Sequence, residues 1–180
     1  FAGKTVQLTN DIDLSAHVWV PINAYGKGAD LSNFTFDGNG KTISGLYIDF
    51  SDYAGLFGYL NGATVTDLTV SVATVASGDG AGCIVGYADE NVTVSGCTVT
   101  GSEIDGGSYA GGMIGYAYGE VGVSGCTVTD SSIYSDGYCA GGIVGFTDYY
   151  ADLSDCTVTD CDIYGDIYAG GIAGYLFDDS

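Results

Sequence analysis

The chain contains no arginine, and its three lysines, Lys4, Lys27 and Lys41, all fall in the first quarter. Set against 23 Asp and Glu, they leave a formal net charge of −20. Binding nucleic acid requires a basic footprint that neutralises phosphates, and an anionic membrane surface asks for the same, so both partners are excluded on charge. Acidic polysaccharides such as pectate are disfavoured for the same reason. There is one Pro, one Met, one Trp and one His, and no apolar run approaches the roughly 20 residues of a membrane-spanning helix, so no membrane insertion is expected. Helical periodicity is also missing, which removes the helical classes. No signal peptide precedes Phe1, and the lack of an initiator Met points to a processed or excised segment.

What is abundant fits a different architecture. A hydrophobic content of 46% in 180 residues is enough for one domain with a sizeable core. The 31 Gly and 15 Tyr suit short strands joined by tight turns. Five segments align on one pattern: AGLFGY at 54–59, AGCIVGY at 81–87, AGGMIGY at 110–116, AGGIVGF at 140–146 and AGGIAGY at 169–175. Their starts, Ala54, Ala81, Ala110, Ala140 and Ala169, lie 27, 29, 30 and 29 residues apart. Such a period holds three short strands and three turns, the length of one coil of a parallel β-helix.

Between these segments lies a second alternating one: VTDLTV at 65–70, VSGCTV at 94–99, VSGCTV at 123–128 and LSDCTV at 153–158. With its apolar positions inward it yields three ladders. The first is Val65, Val94, Val123 and Leu153; the second Leu68, Cys97, Cys126 and Cys156; the third Val70, Val99, Val128 and Val158. A further strand adds Val75, Ile104, Ile133 and Ile163. ISGLYI at 43–48 fits the same template and places Ile43, Leu46 and Ile48 on the first three ladders one coil earlier. The expected fold is all-β, a parallel β-solenoid of about six coils with three short strands per coil. Residues 1–53 form an irregular N-terminal cap (His17, Trp19, Pro21 and Ile22) and a first coil. Residues 54–180 are the regular coils of the same continuous domain. The chain stops at Asp179-Ser180, part-way through a coil, which predicts either that the native protein continues or that another subunit covers the edge.

FAGKTVQLTNDIDL, then FTFDGNGKTISGL, then GLFGYL and the AGGIVGY-like coils together resemble the GLUG-motif repeat regions of bacterial cell-surface proteins. The resemblance runs along nearly the whole chain. It implies a parallel β-helix and an extracellular, secreted or wall-attached location. Regions of this kind include non-catalytic portions of IgA1-cleaving metallopeptidases. The peptidase members use a zinc-binding HExxH helix, a motif this sequence does not contain, so no catalytic residue carries over.

A Ser-His-Asp or Cys-His arrangement would have to use His17, which stands in the irregular cap, far in sequence from every repeated Cys, and reads as a surface or cap-packing histidine. Asp130, Asp160, Asp162, Asp152 and Asp155 offer carboxylates for glycosidic acid/base work. They recur unevenly, though, and the coils supply no basic partner, so solvated turn carboxylates are the better reading. Calcium is the cofactor that stacked acidic turns would suit. Asp37-Gly-Asn39-Gly reads as a tight turn, and neither it nor the Asp11/Asp13 pair carries a calcium-binding β-roll repeat. Cys97, Cys126 and Cys156 read as buried free thiols. Cys83, Cys139 and Cys161 sit at three different offsets, which leaves their pairing undetermined.

Two outward patterns are the binding candidates. Thr98 and Thr100, Thr127 and Thr129, and Thr157 and Thr159 make a double Thr ladder, with Thr69 and Ser71 as a weaker rung. Flat T-x-T arrays on β-solenoids resemble the ice-binding faces of antifreeze proteins. Tyr59, Tyr87, Tyr116, Phe146 and Tyr175 form an aromatic ladder, and Tyr134 and Tyr164 a partial second one. The Gly residues flanking the first of these hide its strand phase, so inward and outward orientations both stand. The expected function is a non-catalytic extracellular scaffold or adhesin module whose partners are host or community glycans or proteins. Ice binding, a carbohydrate-active β-helix enzyme and end-to-end self-assembly through open coils into a filament are the alternatives.

Overall fold

Apolar and polar residues alternate in runs of only three to five, and each run ends at a residue that tolerates a left-handed backbone. Chains of this kind turn a corner at every run instead of extending. In a computed structural model that describes residues 2–25 and 31–177, they wind into a parallel β-solenoid of about six turns. No helix occurs among the described residues. One full coil contains the strands Val85–Asp89, Val92–Ser95, Thr98–Thr100, Glu103–Gly106 and Tyr109–Gly111. The later coils therefore carry five strands rather than the three expected, and the strands fall into four parallel sheets of ten, five, four and five.

The extra segmentation comes from the first of two left-handed corners and from the bend within the AGG segment. The first corner holds Asp67, Gly96, Gly125 and Asp155, with φ between 52° and 61°. The second corner holds Gly45, Val72, Gly101, Asp130 and Asp160, with φ between 52° and 67°. Gly pays no Cβ penalty in this conformation, and Asp offsets part of it by local hydrogen bonding. A segment such as VSGCTV is thus not one strand but two, folded at its glycine.

Three of the four inward ladders pair in the expected register. Val94 lies between Val65 and Val123, and Val123 is followed by Leu153. Val70, Val99, Val128 and Val158 stack in order, as do Val75, Ile104, Ile133 and Ile163. Each interior member is fully buried, and burying a Val or Ile side chain contributes about 1.5–3 kcal/mol.

One register expectation is corrected. Ile43 pairs with Val70 and Ile48 with Val75, while the partner of Val65 is Phe36. Leu46 consequently stacks over Ala73, whose neighbour Thr74 donates its N–H to the Leu46 carbonyl. It does not share a rung with Leu68, which lies opposite Lys41. The misphasing has a physical origin. Each coil repeats the order inward, outward, left-handed corner, inward, outward, inward once around each corner, with a small inward residue (Ala73, Ser102, Ser131 or Cys161) after the second, and ISGLYI fits either copy. Asp37-Gly-Asn39-Gly interrupts the strand Thr35–Ser44 as a local bulge. There the Asp37 carboxylate accepts the Asn39 N–H at 2.7 Å, as expected of a tight turn.

The segment expected as an irregular cap is laid down as a coil. Thr5–Gln7 pairs with Thr35, Phe36 and Asp37, Ile12 pairs with Ile43, and isolated bridges join Val18 to Tyr47 and Ile22 to Phe57. Trp19 donates its indole N–H to the Leu56 carbonyl at 3.2 Å, and His17 is exposed. At the other end, Asp179 and Ser180 lie outside the described residues.

The AGG-I-V-G-Y signature is a steric requirement. Ala54, Ala81, Ala110 and Ala140 are fully buried and stack directly. Between Tyr109–Gly111 and Ile114–Tyr118 the chain bends so tightly that a Cβ at Gly111 would run into the Ile114 carbonyl oxygen. At Gly115 a Cβ would sit 2.7 Å from the Ala81 backbone nitrogen of the preceding coil.

Candidate functional site

The threonine face is built by the ten-stranded sheet. Thr98, Thr127 and Thr157 pair in order, and so do Thr100, Thr129 and Thr159. The register extends the array beyond the expected rungs, since Thr42 and Ser44 lie opposite Thr69 and Ser71, which lie opposite Thr98 and Thr100. Five rungs of T-x-T or T-x-S therefore run down one strip between the two left-handed corners. Alternation forces this orientation, because the valines between the threonines are the inward ladder.

The tyrosine ladder points outward and is half-buried. On Phe57–Asn61 the buried positions are Phe57 and Leu60, which places Tyr59 on the outer side. Tyr59 stacks on Tyr87 with centroids 5.5 Å apart, Tyr87 on Tyr116 at 5.0 Å, Tyr116 on Phe146 at 5.2 Å and Phe146 on Tyr175 at 5.2 Å. The planes lie within 17° of parallel. A second row, Tyr25, Tyr53, Tyr109, Tyr138 and Tyr168, leans against the first in edge or tilted contacts, for example Tyr53 to Tyr87 at 4.9 Å. Both faces of each interior ladder ring are thus occupied by other rings, and what reaches solvent is edges and hydroxyls. Sugar stacking needs a free ring face, which this ladder does not offer. Tyr134 and Tyr164 form a separate exposed stack at 4.9 Å.

Carboxylates border the ladder. The Tyr59 hydroxyl donates to Asp89 at 2.5 Å and the Tyr116 hydroxyl to Asp148 at 3.2 Å. Burial among the rings, with the Asp89 hydrogen bond and charge adding to it, pushes the Tyr59 phenol up to about 12. Burial likewise raises Tyr53, Tyr87 and Tyr116, with Asp79, Asp89 and Asp148 respectively contributing next. The phenols are held neutral.

The six cysteines are all free. Cys97, Cys126 and Cys156 each follow the first corner, and their Sγ contacts the carbonyl two residues back at 3.4, 3.5 and 3.4 Å. Cys161 follows the second corner in the same way, contacting the Thr159 carbonyl at 3.2 Å. In earlier coils Ser131 and Ser102 hold that place and donate to Thr129 and Thr100. Cysteine here is a small side chain that fits inside a tight corner and quiets its carbonyl. The hydrogen bond with Cys126, followed by burial, raises the Cys97 thiol, and burial alone pushes Cys139 up to about 12. Protonated thiols of this kind are poor nucleophiles.

Asp67 and Asp155 stand at the first corner in non-adjacent coils, while Asp130 and Asp160 follow one another at the second. Among the described residues no three His, Cys, Asp or Glu side chains converge as a metal-ligand set. Sequence reasoning missed one concave feature, a groove of about 230 Å³ on the ten-stranded sheet lined by Asn91, Thr93, Glu120, Gly122, Tyr150 and Asp152. Its only signal in the sequence is Gly122, standing where the aligned coils carry Thr64 and Thr93.

The strand Tyr109–Gly111, its tight bend into Ile114–Tyr118, and the corner cysteines recur in each later coil. Residues 136–164 match the GLUG motif. That GLUG match begins just before the AGGIVGF segment and ends in the Asp162–Gly165 strand, one coil length in all. No curated protein matches the chain. Among solved structures, a candidate immunoglobulin A1 protease from Bacteroides ovatus aligns at 17% identity with a TM-score of 0.48, over 99% of this chain and 79% of that one. A likeness at that level carries no argument about activity here.

Proposed function

We propose that this chain is a non-catalytic scaffold and adhesive module of a secreted or surface-attached protein, binding glycan or protein ligands through its outward faces. The observation that carries the reading is the unbroken coil-to-coil register of polar and aromatic ladders on the outside, backed by an interior of neutral, buried side chains. Nearest-neighbour stacking makes such a module stiff and extendable by added coils. The surplus of carboxylates keeps so large a Tyr-rich surface soluble. Glycan and matrix-protein arrays probed with the purified chain, in parallel with polysaccharide-turnover assays, test it. Ligand capture without turnover is expected; turnover of a polysaccharide with no captured ligand overturns it.

The five-rung T-x-T and T-x-S strip favours a second reading, ice binding. It predicts thermal hysteresis that vanishes in Thr127→Tyr, and a wild-type chain without hysteresis removes it.

A further inference from the structure

The corner joining the tyrosine face to the ten-stranded sheet changes along the axis. In the coil after Phe57–Asn61 it runs Gly62-Ala63, whereas later coils insert one more residue: Glu90-Asn91-Val92, Gly119-Glu120-Val121 and Tyr149-Tyr150-Ala151. Pairing of Val92 with Val121 and of Val121 with Ala151 aligns Asn91, Glu120 and Tyr150 as one exposed column. Thr93, Gly122 and Asp152 form the column beside it. Two columns by three coils make a grid of six outward positions, and only the Gly122 position carries no side chain.

Nothing in the backbone demands that glycine. Gly122 is not among the residues with a left-handed φ, and a Cβ there would meet a single neighbour, Thr93 Oγ1, at an ordinary 4.0 Å. The same column reads Thr5, Thr35, Thr64 and Thr93 in the preceding coils. A glycine inside a strand weakens it, and where neither a bulge nor a tight bend calls for one, close approach of a ligand is a recognised reason for its presence. The missing side chain opens the groove of about 230 Å³, below the roughly 300 Å³ at which pockets for drug-sized ligands begin. It suits a single ring.

We propose that this notch binds one pyranose ring of an uncharged glycan. The inference deepens the adhesive reading and rests on it. Tyr150 is 66% exposed and pairs with no other ring among the described residues, so, unlike the ladder tyrosines, it has a free face for the apolar C–H face of a sugar. Glu120 and Asp152 are acceptors only, matched to the hydroxyl donors of a sugar, and the Asn91 amide both donates and accepts. Two carboxylates in a chain of net charge −20 repel uronic or sialic acids.

The test titrates maltohexaose, cellohexaose and β-1,3-glucan hexaose into the isotopically labelled chain and follows the amide resonances, with oligogalacturonate as the anionic counterpart. At least one neutral oligosaccharide should move the Asn91, Gly122 and Asp152 signals. Gly122→Thr, which fills the notch with the residue its column already carries, and Tyr150→Ala should each weaken that binding about tenfold or more. Gly122→Thr should leave the unfolding midpoint undiminished, which separates loss of the notch from loss of fold. Neutral-glycan binding that survives Gly122→Thr, a preference for oligogalacturonate, or no response to any neutral oligosaccharide overturns the notch. Ligands captured on the arrays would in each of those cases leave the adhesive reading standing.

Discussion

Among the described residues, Val72 is the one β-branched residue held in a left-handed corner, at φ 52°. The equivalent places in neighbouring coils hold Gly45, Gly101, Asp130 and Asp160. An L-residue in this conformation costs roughly 1–2 kcal/mol, with β-branched side chains at the upper end. Val72→Gly removes that cost. Against it stands the side chain's packing, which is small because Val72 is 68% exposed; a third of a buried valine is about 0.5 kcal/mol. The greater backbone freedom of glycine in the unfolded chain offsets another roughly 0.5–1 kcal/mol. The Val72 N–H still donates to the Thr100 carbonyl at 3.0 Å in either case. The net expectation is a chain more stable by about 0.5 kcal/mol, a rise in melting temperature of roughly 1–2 °C for a domain of this length. Urea and thermal unfolding followed by circular dichroism measure it, with Val70→Gly, in a buried strand position, as the destabilised control. A Val72→Gly chain that loses about 1 kcal/mol or more would refute the reasoning, because it would mean that the corner depends on the valine side chain.

The tight bend between Tyr109–Gly111 and Ile114–Tyr118 predicts that Gly111→Ala costs about 1–3 kcal/mol through backbone collision, while Gly122→Ala, with open space around it, is neutral or stabilising; denaturant midpoints of the two variants decide. Spectrophotometric titration should show the ladder phenols ionising late. The folded Tyr59 phenol lies near 12 against 10.0 for the free side chain, so the stability it contributes is present below pH 10 and is lost as pH rises through 12. A single phenolate transition near pH 10 that leaves the fold intact would contradict this.

Much of the fold was legible because inward ladders repeat residue types at fixed offsets. Val94 over Val65 and Ile104 over Val75 need only the period and strand alternation to be placed. The register of ISGLYI was not legible, since the two corners of each coil present the same apolar spacing and only the pairing of Phe36 with Val65 breaks the tie. The orientation of Tyr59 and Tyr87 was hidden by the glycines that precede them, Gly58 and Gly86, which remove the alternation that would have fixed it. The N-terminal coil was masked by its short strands, two of them only three and two residues long. The notch escaped because it is defined by an absent side chain at Gly122 and by corner residues whose alignment shifts when one residue is inserted.

In this solenoid each period adds one coil to the stack and nothing else. Inserting one, two and three extra copies of residues 110–139 and measuring the maximum dimension and cross-section by small-angle X-ray scattering tests it directly. Each copy should lengthen the particle by about 4.8 Å, the spacing of paired strands, with the cross-sectional radius unchanged. Growth of the cross-section, or a length that does not rise with copy number, would contradict it.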